Sequence, residues 1–434
     1  MLKRFHRIQI IFFTLLSYII LNAQNNNYDL SIEKILALPE NEIDLGIACL
    51  SITKEICPDV DIDYFVKQLE IMAQKISYIS QGTTEPEARI GAMNTFLYRA
   101  GWWNDSLTFT YDLDDLDANK ISNQFLSGYL NTRLGSCITM PMLHLVLADK
   151  LGWPIKAVRS PKHIFCRYID RNFEMNNIEA TCGGGYISNE RYISDSQIPE
   201  KPIKNGVYLR TLSKKEYIAS MLLTCARYCS ENNSNIQKAI YYSGLAVYHD
   251  STLSGGHWNL GKYYNILAFN IETEMIERKK EIEEQYSNDF IVLRNQAQIN
   301  DFAPEVPSPW DYQNKRKEEQ QQRMMQPSNP FKIPMTTLDP CIPQAQQAGR
   351  APQPINQNAV DPKSRIRINE LQLDKNAKIE AVEKKYIPII KEALARSEWH
   401  KNKAKELGIV LELPTEFFIK QSESIEKFKE TGEY

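Results

Sequence analysis

One apolar helical run followed by three short strands, all between residues 133 and 185, constrains this chain most. Residues 137–151 carry apolar side chains at helical spacing, with Ser136 as the predicted N-cap and Gly152 as the predicted C-cap. Residues rich in Ile, Val, Phe and Tyr then alternate with turn residues, which predicts three strands, at 155–159, 163–169 and 177–181. A helix against a small antiparallel sheet indicates an α+β core.

Three side chains in this stretch could form a nucleophilic centre. A thiol attacks only as its thiolate, which a helix N-terminus and a neighbouring imidazolium both favour, so Cys137 and His163 suit each other. A hairpin centred on Arg171 would pair residues whose numbers sum to 342, and it would place His163 opposite Glu179. This pattern predicts Cys137 as nucleophile, His163 as base and later acid, and Glu179 as the group that orients the imidazole.

Structural interpretations of the same residues stay open. A lone buried cysteine is usually an inert small hydrophobe, and a histidine after proline is usually structural, so Cys137 and His163 could both be core residues. Asn177, on the same strand face, could orient the imidazole in place of the glutamate. A metal site of His163, Cys166 and Cys182 is a further alternative, although no paired CxxC or HExxH spacing supports it.

Acyl transfer also needs donors for the oxyanion. The backbone N–H of Cys137 is one candidate, and the side chains of Asn131 and Gln124 are candidates for a second. The glycine run at 183–185 could let a substrate backbone approach closely, or it could form a tight turn.

Three segments resemble the transglutaminase-like superfamily, whose fold is papain-like. They are RLGSC at 133–137, PKHIFCR at 161–167 and IEATCGG at 178–184, and they occur in the order found in a bacterial branch of that superfamily. The resemblance implies a helix that carries the cysteine packed on a small antiparallel sheet. It also implies hydrolysis or aminolysis of amide bonds in peptides or proteins through a Cys-His-Glu triad.

The resemblance extends from about Asp44 to about Ala268. Glu179 stands where the superfamily usually has aspartate, one methylene shorter. The branch includes members that have lost the cysteine and are not enzymes, whereas this chain keeps Cys137. An active enzyme is therefore an expectation that needs a direct test.

The N-terminus has the pattern of a secretory signal peptide. Basic residues precede an apolar run at 8–21, and Ala23 marks the predicted cleavage point. We therefore expect a signal peptide at 1–23, a mature N-terminal tail at 24–40, and an exported bacterial protein, periplasmic or secreted. The alternative is an uncleaved membrane anchor, since the run is nearly long enough to span a bilayer. No later stretch is apolar enough to do so.

Composition excludes some function classes. The formal net charge is −3 and the pI about 6.2, so nothing favours nucleic acid binding. No Asp/Asn repeat typical of calcium sites is present, and no cofactor is implied. Eight cysteines at irregular spacing predict few disulfides or none, with Cys49 and Cys57 as the first pair to check.

Composition and periodicity divide the rest of the chain. After a transglutaminase-like domain at 41–207 the pattern is helical, and WNLGKYY at 258–264 resembles the start of a tetratricopeptide repeat. We predict tetratricopeptide-like helices and a long helix at 208–300, a disordered Pro/Gln/Asn-rich linker at 301–362, and a C-terminal helical region at 363–434.

Two long helices carry matching narrow apolar seams. The spacing from Met275 to Leu293 and from Ile379 to Ala393 predicts that they pair as a coiled-coil hairpin across the linker, with a kink at Pro388. A solvated helix without a fixed partner is the alternative.

These patterns are compatible with three functions. The first is an exported cysteine hydrolase or acyltransferase whose substrate is a peptide or protein. The second is a non-catalytic binding module of the cell envelope, in which the same fold holds a peptide and the helical lobe and C-terminal helices contact a protein partner. A third possibility is an envelope structural protein assembled through the long helices.

Overall fold

The computed structural model describes residues 30–232, 234–296 and 362–431. These fall into two compact units, one made of residues 30–267 with 393–431 and the other of the described residues between 268 and 392. The predicted signal peptide at 1–23 and the predicted linker at 301–362, except Pro362, lie outside the described residues.

The described residues are mainly helical. In chain order the helices are α1 (Ile32–Ala37), α2 (Leu45–Ile56), α3 (Ile62–Ser80), α4 (Pro86–Tyr98), α5 (Leu126–Thr132), α6 (Thr139–Lys150), α7 (Asn189–Ser196), α8 (Glu200–Lys204), α9 (Lys214–Glu231), α10 (Ile236–His249), α11 (Ser254–Gln296), α12 (Pro362–Leu407) and α13 (Thr415–Thr431). Single 3₁₀ turns lie at Glu40–Glu42, Trp102–Asn104, Ile121–Asn123 and Ala180–Cys182. No described helix combines the length and apolar character that crossing a membrane requires.

Two small sheets accompany these helices. Strands β1 (Thr110–Tyr111) and β2 (Leu134–Gly135) pair in parallel, and β3 (Ile155–Ser160), β4 (His163–Tyr168) and β5 (Asn177–Ile178) form an antiparallel sheet in that order. The predicted α+β class is confirmed. The sequence did not reveal β1, since its two residues are too few to show alternation.

The hydrophobic core of the first unit lies around helix α6. All residues from Thr139 to Ala148 are buried, because helices α2, α3 and α5 and strands β3 and β4 all pack against α6. Helix α9 joins the same core through Ile218, Leu222 and Cys225. The core therefore continues across the predicted domain boundary at residue 207.

The last part of the predicted mature N-terminal tail at 24–40 is helical. Helix α1 lies within it, and its Ile32, Ile35 and Leu36 are buried in the main core.

The predicted strand register was wrong by two residues. Cys166 pairs with Ile178 and Arg167 with Asn177, so paired residue numbers sum to 344. The third strand is also shorter than predicted, because the chain turns into a 3₁₀ helix at Ala180. A shift of two preserves which face each side chain occupies. Cys166, Tyr168, Ile178 and Ala180 accordingly belong to the main core.

A buried ion pair joins the antiparallel sheet to helices α9 and α10. Arg159 of β3 donates to the carboxylate of Asp250, which follows helix α10, and to the Ser220 hydroxyl at 3.1 Å. Arg210 and Thr252 also donate to Asp250. Burial opposes ionisation of Asp250, but the charge of Arg159 and these hydrogen bonds outweigh it and lower the pKa of Asp250.

In the second unit, the long helices α11 and α12 run antiparallel. Glu274 accepts from the Tyr386 hydroxyl at 2.6 Å, Lys279 pairs with Glu383, and the Tyr286 hydroxyl donates to Asp374. Residue numbers rise along one helix as they fall along the other, so the predicted pairing is confirmed. Supercoiling of the pair stays a prediction.

Replacing Asp250 by alanine would leave Arg159 buried without its partner. We expect Asp250→Ala to lower the free energy of unfolding by about 3–5 kcal/mol. Urea denaturation measures this change. Glu200→Ala is the matched control, because the ion pair of Glu200 with Lys204 is exposed to solvent and contributes little. Equal, small effects of the two substitutions would contradict a stabilising role for the buried pair.

Candidate active site

Cys137 lies in the turn that leads into helix α6. The Ser136 hydroxyl accepts from the N–H groups of Ile138 at 3.0 Å and Thr139 at 3.5 Å, and it donates to the Asn123 carbonyl at 2.6 Å. The Thr139 hydroxyl accepts from the Ser136 N–H at 3.0 Å. The prediction of Ser136 as the N-cap was wrong, because α6 begins at Thr139 with Ile138 as its N-cap residue, and Ser136 instead holds the turn that precedes the helix.

Two residues of the RLGSC segment hold this turn in place. Arg133 adopts a left-handed conformation with φ of 57°, and its guanidinium donates to the carbonyls of Asn104, at 2.6 Å, and Leu107. A Cβ on Gly135 would lie 2.5 Å from the ring of Tyr129, so only glycine fits there. Both residues therefore position Cys137 without reaching it.

Tyr111 lies beside Cys137, and the sequence did not single it out. Strand β1 pairs Tyr111 with Gly135, two residues before the cysteine. Burial and the neighbouring Cys137 together raise the pKa of the Tyr111 hydroxyl. Its hydroxyl donates a long hydrogen bond of 3.2 Å to the Leu116 carbonyl.

His163 opens strand β4 directly after a tight turn. Ser160 pairs with His163 across a two-residue loop, in which Lys162 has a φ of 55°. The imidazole is buried, and its Nε2 lies 2.8 Å from Oε2 of Glu179. Its Nδ1 has no hydrogen-bond partner among the described residues, and Cys137 is one of the neighbours that raise the pKa of the ring.

Every oxygen of the Glu179 carboxylate is engaged. Oε2 accepts from the Tyr192 hydroxyl at 2.6 Å as well as facing His163. Oε1 accepts from the Thr181 N–H at 3.1 Å and from its hydroxyl at 2.7 Å. A carboxylate with this many donors is held in one orientation, and it fixes the orientation of the imidazole in turn.

The electrostatics of His163 and Glu179 favour an ion pair. Burial alone would lower the pKa of His163, but the charge of Glu179 and the nearby Cys137 raise it. Burial alone would raise the pKa of Glu179, but the charge of His163 and hydrogen bonds from His163, Thr181 and Tyr192 lower it. Both directions favour an imidazolium paired with a carboxylate.

The structure places the other predicted site residues elsewhere. Asn177 accepts from Arg167 at 2.7 Å and donates to the Ile187 carbonyl at 2.8 Å, so Glu179 and not Asn177 is the hydrogen-bond partner of the imidazole. Asn131 is exposed, and no described hydrogen bond joins it to Cys137. Gln124 is buried and donates to the carbonyls of residues 118 and 119 at 2.9 and 3.1 Å.

The alternative metal site does not assemble. His163 and Cys166 lie on opposite faces of strand β4, and the Cys166 thiol points into the core toward the Pro141 carbonyl at 3.7 Å. Across the described ranges, no group of three or more His, Cys, Asp or Glu side chains is placed to hold a metal ion. All seven described cysteines, Cys49 and Cys57 included, lie outside any disulfide.

The ion pair of His163 and Glu179 should make the free energy of unfolding depend on pH. Ionised Glu179 stabilises the fold fully above pH 4.5, and that contribution is lost as pH falls through its lowered pKa. Protonated His163 stabilises the fold fully below pH 6.5, and that contribution is lost as pH rises through its raised pKa. The pair should therefore contribute most to the free energy of unfolding between pH 4.5 and 6.5.

We expect Glu179→Gln to lower the free energy of unfolding on the order of 3 kcal/mol in this window, because it leaves the imidazolium unpaired. The deficit should shrink near pH 10, where His163 loses its proton. Urea denaturation at several pH values measures both effects. Glu190→Gln removes the same charge from an exposed position and should show no such dependence. A deficit that does not change with pH would contradict the ion pair.

Comparison with known proteins identifies the family of the domain that carries this site. Residues 63–222 match the model of the transglutaminase-like superfamily. The match runs from α3 into α9 and includes all three predicted triad residues. It ends before the WNLGKYY segment at 258–264, so the resemblance of that segment to tetratricopeptide repeats stays a prediction. Searches of curated proteins and of solved structures gave no match. Between residues 63 and 222, the chain therefore contains a transglutaminase-like domain.

Proposed function

We propose that this protein is an exported cysteine hydrolase or acyltransferase that acts on amide bonds of peptides or proteins. The proposed triad is Cys137 as nucleophile, His163 as acid and base, and Glu179 as the positioning residue. The observation that carries the proposal is the 2.8 Å contact between His163 and a fully hydrogen-bonded Glu179, with the second imidazole nitrogen left open beside a thiol at a helix start.

In the first step, the Cys137 thiolate attacks the carbonyl carbon of the scissile amide. The C–S bond forms as the carbonyl π electrons move to oxygen. When the intermediate collapses, the C–N bond breaks, and the His163 imidazolium gives its proton to the leaving nitrogen. A thioester on Cys137 and a neutral imidazole remain.

In the second step, the neutral imidazole acts as a base. It takes a proton from water or from an amine, whose lone pair attacks the thioester carbon and displaces the thiolate. Water yields an acid, and an amine yields a new amide. His163 ends protonated again, and throughout both steps Glu179 holds the ring in one orientation and stabilises its charge.

The oxyanion needs donors close to the nucleophile. The backbone N–H of Cys137 is the first, as the sequence predicted. For the second we propose the Tyr111 hydroxyl in place of Asn131, because β1 carries Tyr111 to the side of Cys137 whereas Asn131 faces solvent.

Export rests on the sequence pattern of residues 1–23 alone. Under this proposal the mature protein begins at Gln24 and functions in the periplasm or outside the cell. N-terminal sequencing of the protein from the native cell tests the cleavage site. A mature chain that still begins at Met1 would favour the uncleaved anchor.

Cys137 should react with iodoacetamide at about pH 6, where an ordinary thiol, with a pKa near 8.5, is almost fully protonated. Cys57 is the internal control, because it is half-buried like Cys137 while burial and Asp59 raise its pKa. We expect mass spectrometry to show alkylation of Cys137 at least about tenfold faster than that of Cys57. His163→Ala should remove the difference.

Equal, slow alkylation of both cysteines at that pH would contradict the catalytic pair. It would favour the second candidate, a non-catalytic peptide-binding module of the cell envelope built on the same fold.

Tyr111→Phe separates oxyanion stabilisation from thiolate formation. We expect it to slow acylation by p-nitrophenyl acetate by about 100-fold, because that reaction passes through an oxyanion. It should leave iodoacetamide alkylation of Cys137 unchanged, because alkylation is a displacement without an oxyanion. Loss of both reactions would instead indicate that Tyr111 only supports the turn.

A further inference from the structure

The C-terminal helix α13 lies on the same face of the domain as His163 and Glu179. Its Phe417, Gln421, Ser424, Ile425 and Phe428 recur at helical spacing and turn toward the domain. Ile425 is 1% exposed and belongs to the main core, whereas Ile419, on the other side of the helix, is 52% exposed. The helix is thus anchored along one side.

Helix α13 contacts the segment that carries the carboxylate. The ring of Phe428 lies against the backbone of Gly183, where a Cβ would come within 2.0 Å of it, and meets Tyr98 edge to face at 5.9 Å. Lys420 forms an ion pair with Asp195 of helix α7 at 2.6 Å. The open backbone of the glycine run, where a substrate could approach closely, is therefore occupied by Phe428.

The space left beneath α13 is small. His163 and Glu179 line a cavity of about 50 Å³ together with Phe417, Lys420 and Gln421 of α13, whereas Cys137 is not among its lining residues. That volume has room for a few water molecules and none for a peptide.

The segment before α13 is also tied to the domain. Gly408 packs against Pro202, the Asn205 amide donates to the Leu407 carbonyl at 3.2 Å, and the Val410 N–H donates to the Tyr208 hydroxyl at 3.2 Å. If α13 detaches, these contacts keep the helix close to the cleft, by which we mean the cavity lined by His163 and Glu179. The helix can then return and close the cleft again.

We propose that α13 is an autoinhibitory cover, which must leave before a peptide can enter the cleft. This inference rests on the proposed function in one respect, that the cleft is where the substrate binds. It adds that the intact protein is held in a closed state, and that whatever detaches α13 activates it.

Ile425→Asp should detach the helix, and Ile419→Asp is the matched control on its exposed side. The Cys182 thiol reports detachment, because it is buried and lines the cavity beneath α13. Access to the cleft is measured with two alkylating reagents, an iodoacetylated tetrapeptide and the small iodoacetamide. The rate of Cys137 alkylation by the tetrapeptide, divided by the rate by iodoacetamide, gives the Cys137 rate ratio. Both are measured on the full mature protein by mass spectrometry.

We expect Ile425→Asp to raise both the Cys182 labelling rate and the Cys137 rate ratio at least about tenfold, since a buried charge disfavours the closed state. Ile419→Asp should leave both unchanged. Faster Cys182 labelling with an unchanged ratio would overturn the proposal, because the helix would then leave without opening the cleft. So would a folded Ile425→Asp protein whose Cys182 stays as slow as in the wild type.

A charge reversal provides a variant that spares the core. Lys420 is half-exposed, so Lys420→Glu should fold normally while repelling Asp195. We expect Lys420→Glu to raise the Cys182 labelling rate and the Cys137 rate ratio. Adding Asp195→Lys to the same chain should return both to their wild-type values. If the single reversal changes neither readout, the closed state does not depend on this contact and the proposal fails.

The two proposals fail in different ways. If Cys137 shows no special reactivity with iodoacetamide at pH 6 but the rate ratio still rises on detachment, the cover stands and the enzyme does not. If Cys137 reacts rapidly and the ratio is the same with and without an attached α13, the enzyme stands and the cover does not.

Discussion

The buried contact between His163 and Glu179 is the interaction on which the rest of the site depends. Two charged groups in the interior are tolerated only when they pair and when their remaining atoms find partners. Thr181 and Tyr192 supply those partners to the carboxylate, and the open imidazole nitrogen faces the turn of Cys137. The tight turn before β4, the 3₁₀ turn after β5 and the turn that leads into α6 each deliver one member of this arrangement.

The sequence predicted much of this site because its information is local. Apolar periodicity located α6 and the strands, and alternation within β4 and β5 put His163 and Glu179 on one face. The register was wrong by two residues, since hairpin length depends on a loop whose turn chemistry the sequence does not display. The contact survived that error because a shift of two keeps each side chain on its face.

What the sequence could not show comes from residues far apart in the chain. Tyr192 reaches Glu179 from a helix thirteen residues later, and Tyr111 reaches Cys137 through a parallel pairing of two-residue strands. Neither leaves a periodic signal. Helix α13 packs on residues more than two hundred positions earlier in the chain, so the sequence predicted only that its region is helical. Among the residues that bind Glu179, Thr181 is the exception, because it lies in the segment at 178–184 that resembles the superfamily.

Because Glu179 stabilises the imidazolium, His163 should carry a positive charge at neutral pH. Nitrogen NMR of the imidazole in the folded protein, near pH 7.5, tests this most directly, since an ordinary histidine is mostly neutral there. We expect both ring nitrogens of His163 to be protonated in the wild type, and one to lose its proton in Glu179→Gln. A neutral imidazole with a single N–H in the wild type would contradict the claim.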